Sequence, residues 1–400
     1  MANEVELSFD QFEFMMIPVN RQSIIDAAPE TPLQTVFAVN QLARALHPAA
    51  QFFKIAEVVS HGESAKSFVL TPDAEKGTET PAYFEAGQYL SVALEIDGAS
   101  LSKPYSICSA PSAALAGSYT ITVKRAEDGF ASDFILDNWQ VGDAVKTSGP
   151  KGTFTYEPLR DPAHIVGVAG GSGITPFHSL ANAVADGTED FDLTLLFGSR
   201  SVDDILFKEE FDALEATCPR IKVVHVLSDT PAEGYESGFI TAELIKKYAP
   251  ADDYALFICG PQVMYKFVDE EVAKLGLPER RVRHELFGQI KNPAGEPDYP
   301  AAAADGVFKM TVIIRDEQQV IDCRADESLL VAMERAGIAA PNFCRSGECG
   351  FCHSRLVAGK VFIPAAVDKR RAADATYGYV HPCCSFPLED LTIDVPVKLS

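Results

Sequence analysis

Four cysteines near the end of the chain constrain it more than any other feature. Cys344, Cys349, Cys352 and Cys383 stand as Cys-x4-Cys-x2-Cys with a distant fourth, the spacing that holds the two irons of a [2Fe-2S] cluster through four thiolates. The intervening loop, CRSGECGFC, is short enough to wrap such a cluster, and Gly347 and Gly350 free backbone amides to point at its sulfurs. The competing reading is a structural zinc site, with His353 and His381 nearby, but zinc favours CxxC pairs, so the x4 spacing discriminates. Cys384 adjoins the fourth ligand; it reads as a small buried hydrophobe, the alternative being that it replaces Cys383. Adjacent residues of an extended chain point in opposite directions.

The other cysteines, Cys108, Cys218, Cys259 and Cys323, are scattered, and in a reducing cytosol a clustered set binds metal more often than it forms disulfides. Four hundred residues suit two or three domains. Lys and Arg number 34 against 57 Asp and Glu, a net charge of −23, which excludes a clamp on a nucleic-acid backbone. No apolar run approaches a membrane span, and the start, MANEVE, lacks the basic and apolar regions of a signal peptide; the expected location is cytoplasmic. The charge is uneven: residues 306–400 carry 11 basic and 12 acidic side chains, leaving −22 on the rest. Different modules are joined here.

The clearest boundary is GQIKNPAGEPDYPAAAAD, residues 288–305, read as an extended, mobile linker. Upstream, over 159–287, buried-strand patterns alternate with amphipathic ones: HIVGVA then TPFHSLANAVA, DLTLLFG then DDILFKEEFDAL, KVVHVLS then TAELIKKY, YALFICG then PQVMYKFVDEEVAKLG. That order predicts a doubly wound α/β domain with a parallel sheet. Residues 50–158 show strand-like alternation between Gly-, Pro- and Asp-bearing turns, predicting an antiparallel β-barrel. Residues 1–49 fit neither pattern; Leu33, Phe37, Leu42 and Leu46 have helical spacing and suit a packing appendage. No chemistry is assigned to them.

In the parallel-sheet region, Gly170-Gly171-Ser172-Gly173-Ile174-Thr175-Pro176 follows a strand and precedes a helix. Glycines let the backbone approach a pyrophosphate, the helix start offers free amides, Thr175 can cap and Pro176 suits the first helical position. A glycine turn alone is weak evidence. Cys259-Gly260-Pro261-Gln262-Val263-Met264, a second strand end on the same carboxyl edge, strengthens it, because open α/β sheets bind ligands there.

The barrel region carries Lys103-Pro104-Tyr105-Ser106, Val123-Lys124-Arg125, Gly129-Phe130-Ala131-Ser132 and Gly149-Pro150-Lys151-Gly152-Thr153. An aromatic to cover a planar ring, hydroxyls to bond it, and cations beside glycine amides for phosphates are what a flavin nucleotide requires. Singly, each is ordinary: Tyr105 reads as a half-buried core tyrosine, Lys124 and Arg125 as a solvated strand face.

Taken in order, these motifs resemble the ferredoxin–NADP reductase family, with its R-x-Y-S/T, V-K, G-x-x-S, GP-x-G, G-x-G-x-x-P and C-G-P elements, and residues 306–400 resemble plant-type ferredoxin, whose C-x-x-x-P-x-x-D ending is matched by Cys383, Pro387 and Asp390. The combination is most similar to reductases of oxygenases and of phenylacetyl-CoA epoxidase. The resemblance implies a β-grasp α+β ferredoxin domain behind a flavin barrel and an NAD(P) domain. It implies that Tyr105 packs on the isoalloxazine with Ser106 near N5, and that Lys103, Lys124, Ser132, Gly152 and Thr153 hold the ribityl-phosphate side. Val123, Gly129, Ala131 and Lys151 belong to the same stretches. Thr175 would touch flavin or nicotinamide, Cys259 would lie by the nicotinamide, and one or both of Glu285 and Phe287 would stand at the flavin face. Gly171, Ser172, Gly173, Pro176, Gly260, Pro261 and Met264 would form the nucleotide turns. Ser106, Cys259 and Glu285 are the candidate catalytic residues. Lys103 departs from the family's Arg, a point charge in place of a bidentate fork, which leaves FAD and FMN both open. His178 is assigned no role.

A nicotinamide surrenders two electrons as a hydride and a [2Fe-2S] cluster takes one at a time, so a flavin between them is required. The expected activity is therefore an NAD(P)H-dependent oxidoreductase delivering single electrons to a partner protein or acceptor. The alternative is an electron-transfer subunit that never oxidises NAD(P)H, like that of some dihydroorotate dehydrogenases. Ser199-Arg200 follows the second strand of the nucleotide half, where Arg can accept a 2′-phosphate, with Lys208 not far along; NADH and NADPH both stay open.

Overall fold

The computed structural model of the chain describes residues 9–28, 36–126, 129–285 and 288–397. By internal contacts the chain divides after Arg44. The first unit holds helix α1 (Phe9–Ala27) and most of α2 (Ala38–Leu46). Phe37 and Leu42 are exposed, so the expected packing face finds no cover within this unit; Leu33 lies outside the described residues.

The second unit begins with six antiparallel strands, β1 (Gln51–His61), β2 (Ala65–Pro72), β3 (Tyr89–Ile96), β4 (Ala99–Ser106), β5 (Tyr119–Lys124) and β6 (Ala144–Thr147), ordered β4-β3-β6-β1-β2-β5. An Ile107–Ile121 bridge joins the two edges, closing the barrel and removing its free edges. Side chains alternate between faces, so Phe53, Phe68, Leu90, Val92, Tyr119 and Ile121 fill the interior. Helices α3 (Pro111–Leu115) and α4 (Phe130–Asn138) lie in the connections flanking β5.

Next come β7 (His164–Gly170), β8 (Asp192–Ser199), β9 (Ile221–Leu227), β10 (Glu236–Ser237), β11 (Ala255–Cys259) and β12 (Val282–Glu285), all parallel, ordered β10-β9-β8-β7-β11-β12. Both faces are covered. Ile165, Leu195 and Phe257 pack against α5 (Thr175–Ala185) and α6 (Lys208–Thr217), whereas Val166, Leu196 and Ile258 pack against α7 (Ala242–Tyr248) and α8 (Gln262–Ala273). β7 sits between β8 and β11, so the strand order reverses at β7, and open α/β sheets bind ligands beyond the carboxyl ends of the strands at such a point. Thr175 does not cap α5 as expected: a 3-10 turn, Gly171–Ile174, runs straight into the helix, and the Thr175 hydroxyl donates to Ser172 O at 3.0 Å.

The last module has a hairpin, β13 (Val307–Ile314) and β14 (Glu317–Arg324), then α9 (Leu329–Arg335), β15 (Ser354–Ala358), β16 (Val361–Phe362), α10 (Ala372–Thr376), β17 (Tyr379–Val380), β18 (Phe386–Pro387) and β19 (Leu391–Asp394). The sheet order is β14-β13-β19-β15-β17 with β13 and β19 parallel, a β-grasp arrangement in which Leu329, Leu330 and Met333 of α9 share a core with Met310, Val312 and Ile393. Ser328 caps α9 by accepting from Val331 N, and Gly337, at φ +74°, ends it.

Residues 288–305 are not the extended linker expected from composition. They hold two 3-10 turns, Pro293–Gly295 and Ala301–Ala303, because Ile290, Pro293 and Ala303 are buried, Glu296 pairs with Lys266 at 3.1 Å and Tyr299 meets Phe362 edge-on.

Candidate functional site

Gly173 and Cys259 bring the two nucleotide turns into contact. A Cβ built on Gly173 would lie 2.1 Å from Cys259 O, and one on Gly170 or Gly260 would strike the Met264 thioether at 2.5 or 2.3 Å. Gly171, at φ +52°, turns the chain between them. The glycines are thus required by close backbone approach. Pro176 is buried behind the turn and Ser172 is exposed at it.

Cys259 and Glu285 are neighbours across β11 and β12. Tyr265 ties this edge together: its hydroxyl accepts from Gly260 N at 3.1 Å and donates to Glu285 O at 2.5 Å. Burial pushes the Cys259 thiol well up, reinforced by Glu285, so it stands protonated. Burial likewise raises the Glu285 carboxyl well above its usual range, with Glu348 and Cys344 adding to the shift. Those two perturbers belong to the cysteine loop, so this edge faces the iron–sulfur module. Phe287 lies outside the described residues.

On the barrel side, β4 carries Lys103, Tyr105 and Ser106. Burial holds the Lys103 ammonium down at about 7, with Arg345 and Lys291 lowering it and Glu334 opposing. Gly152, at φ +108°, leaves room for the Tyr89 ring, 3.0 Å from where its Cβ would stand. Burial raises the Tyr89 hydroxyl, and Cys344, Cys349 and Glu285 raise it further. Tyr89 therefore stands where all three modules meet, a position with no local signal in the sequence.

Among the described residues, eleven buried side-chain polar atoms have no hydrogen-bond partner in the protein, and three of them stand at strand ends carrying expected site residues: Ser106 Oγ, Glu285 Oε2 and Ser199 Oγ. Each orphan costs about 1–3 kcal/mol unless a ligand satisfies it. A buried hydroxyl at the end of β4 and a buried carboxyl at the end of β12 suit a flavin ring, and the hydroxyl at the end of β8 suits a nucleotide.

Other expected flavin contacts are engaged elsewhere. Lys124 Nζ pairs with Asp204 at 2.6 Å. Ser132 Oγ bonds its own loop through Ala126 N and Gly129 O, Val123 and Ala131 are in the barrel core, Lys151 Nζ sits 5.3 Å from the Phe343 ring, and Thr153 is exposed. Arg200 is exposed, while Lys208 pairs with Asp212 at 2.5 Å. His178 is a satisfied interior residue, donating to Cys108 O at 2.8 Å and stacking on Phe207.

The four cysteines converge. Cys352 and Cys383 sulfurs are 3.4 Å apart, and Cys344 Sγ accepts from Ser346 N at 3.5 Å and Cys349 N at 3.4 Å. Donation from the Cys349 and Cys383 thiols drives Cys344 toward thiolate. Gly347, at φ +87°, avoids Val367 O, 2.3 Å from its would-be Cβ. Cys384 turns its thiol toward the carbonyls of His381 and Val367. The two nearby histidines have other partners: His353 stacks on Tyr379 and pairs with Asp374, and His381 Nδ1 donates to Gly347 O at 2.8 Å. Two backbone amides on Cys344 Sγ and the close Cys352–Cys383 pair fit the [2Fe-2S] reading.

Family models agree module by module: an oxidoreductase FAD-binding domain matches residues 55–156, an oxidoreductase NAD-binding domain 168–270, and a 2Fe-2S iron–sulfur cluster binding domain 312–388. The ferredoxin reductase component of 3-ketosteroid-9-alpha-monooxygenase from Mycobacterium tuberculosis is 31% identical over 347 residues, 84% of this chain and 93% of that one. One component of the 1,2-phenylacetyl-CoA epoxidase of Escherichia coli is 27% identical over 326 residues, 79% and 89% of the two chains. Among solved structures, phthalate dioxygenase reductase, described as a modular structure for electron transfer from pyridine nucleotides to [2Fe-2S], superimposes with a TM-score of 0.61 at 25% identity, over 87% of this chain and 98% of that one.

Proposed function

Since the chain belongs to the family of oxygenase ferredoxin reductase components and is an NAD(P)H-dependent flavin and iron–sulfur oxidoreductase, we propose that it delivers single electrons to an oxygenase component. Bound flavin accepts the two electrons of a hydride together and releases them singly, matching the nucleotide to the cluster.

The chain's own part is holding and orienting. The Gly170–Gly173 turn and the Cys259–Met264 turn receive the nicotinamide nucleotide, the contact between Gly173 and Cys259 setting their spacing. Cys259, neutral and buried, packs by the nicotinamide ring without adding charge. Tyr105 covers the flavin ring, Ser106 and Glu285 satisfy their orphaned atoms on it, and Lys103 meets its phosphate. Cys344, Cys349, Cys352 and Cys383 hold the cluster. Ser199 and Arg200 receive the far end of the nucleotide. The observation that carries this reading is the pair of partnerless buried groups, Ser106 Oγ at the end of β4 and Glu285 Oε2 at the end of β12.

The test is an anaerobic absorption titration of purified protein with NADH and, separately, NADPH, beside flavin and iron analysis. Flavin and cluster both bleaching with one nucleotide supports the route and assigns the coenzyme. Both groups present, with neither nucleotide reducing them, overturns it in favour of an electron-transfer subunit that does not oxidise NAD(P)H.

A further inference from the structure

Arg345 directly follows the ligand Cys344, yet its side chain is only 2% exposed and its backbone adopts φ +60°, rare for a residue with a side chain. Nη1 donates to Ser102 O at 3.1 Å and to Glu334 Oε1 at 2.5 Å; Nη2 donates to Glu334 Oε2 at 2.7 Å and to Gln289 Oε1 at 3.1 Å. The fork is bidentate on Glu334, which compensates the buried cation. Ser102 lies on β4, next to Lys103 and shortly before Tyr105 and Ser106. Its hydroxyl also donates to Asn342 Oδ1 at 2.5 Å. Residues 342 and 345, on either side of Cys344, are therefore both tied to one residue of the flavin strand.

We infer that Ser102, Asn342 and Arg345 form a latch that fixes the cluster against the flavin strand, Arg345 being a positioning residue for electron transfer between the two groups. A buried ion pair is a poor source of net stability but selects one register between surfaces, and transfer depends on the separation so selected. Each transfer would remove one electron from the reduced flavin and convert one ferric iron to ferrous; two occur per hydride, the cluster passing the first electron to the oxygenase component before taking the second, and the flavin's proton leaves to water. The inference rests on the flavin-to-cluster route proposed above.

The experiment uses anaerobic rapid mixing of the holoprotein with its nucleotide, following flavin and cluster bleaching separately, plus hydrogen–deuterium exchange over residues 99–106. In R345K, which keeps the charge beside Glu334 but loses the fork, flavin reduction should stay within about twofold of wild type while cluster reduction slows roughly tenfold or more, as a small misplacement would cause, and exchange in β4 should rise. S102A, which removes only the bond to Asn342, should show the same split more weakly and carries the test if R345K does not fold. Cluster reduction at the wild-type rate with unchanged exchange overturns the latch alone. A wild-type protein whose flavin reduces while its cluster stays oxidised overturns the route itself.

Discussion

The Gly173 backbone runs directly against the carbonyl of Cys259, so that a methyl group on Gly173 would lie 2.1 Å from Cys259 O and 2.4 Å from its carbon. Two turns separated by more than eighty residues meet at the switch point of the sheet, and neither can move without displacing the other.

G173A should therefore separate the turns. Overpacking of this kind costs about 1–3 kcal/mol, read by denaturant unfolding, and the Michaelis constant for the nucleotide should rise. An unchanged Michaelis constant would dissociate the turn from nucleotide binding.

Removing the Ser106 hydroxyl separates stability from activity. Its Oγ is buried without a protein partner, so S106A relieves a desolvation cost of about 1–3 kcal/mol and should leave flavin-free protein as stable as wild type or more so. Flavin reduction by nucleotide should nonetheless fall about 100-fold or more, the scale of one lost charge-stabilising hydrogen bond. A stability loss would mean that the hydroxyl serves the fold.

Lys103 makes flavin binding depend on pH. Burial lowers its ammonium to about 7 in the free protein, so below that value it is already charged and meets a phosphate at no protonation cost. Above about 7 it must take up a proton on binding, and flavin affinity should fall as pH rises toward 9. K103R, always charged and forked, should flatten that slope; calorimetric titration of flavin into apoprotein between pH 6 and 9 measures both.

Cys383 and Cys384 should respond in opposite ways. C383S removes the sulfur within 3.4 Å of Cys352 and should abolish the visible iron–sulfur absorption. C384S alters a thiol facing carbonyl oxygens and should keep full iron content. Loss of iron in C384S and not in C383S would exchange their roles.

The barrel, the parallel sheet and the cysteine loop were legible because each depends on nearby residues. Alternation in β1 to β6 assigns side chains to one face or the other, strand and helix patterns alternate through β7 to β12, and loop length alone brings Cys344, Cys349 and Cys352 together. Residues 288–305 misled for the same reason: composition reports local stiffness, whereas Ile290, Pro293 and Ala303 become buried once the chain folds. Lys124 also read as a phosphate ligand from its motif, and only folding brings Asp204 to it.

By itself the sequence determined what local backbone geometry controls: where strands, glycine turns and the sulfur loop occur, and which chemistry they admit. Tertiary structure decided what depends on surfaces far apart in the chain. Ser102 and Arg345 are 243 residues apart, and Tyr89, Glu285 and Cys344 come from three modules. Local periodicity carries no information about such contacts, because they form only when separately folded faces pack and buried polar groups must find partners across the junction.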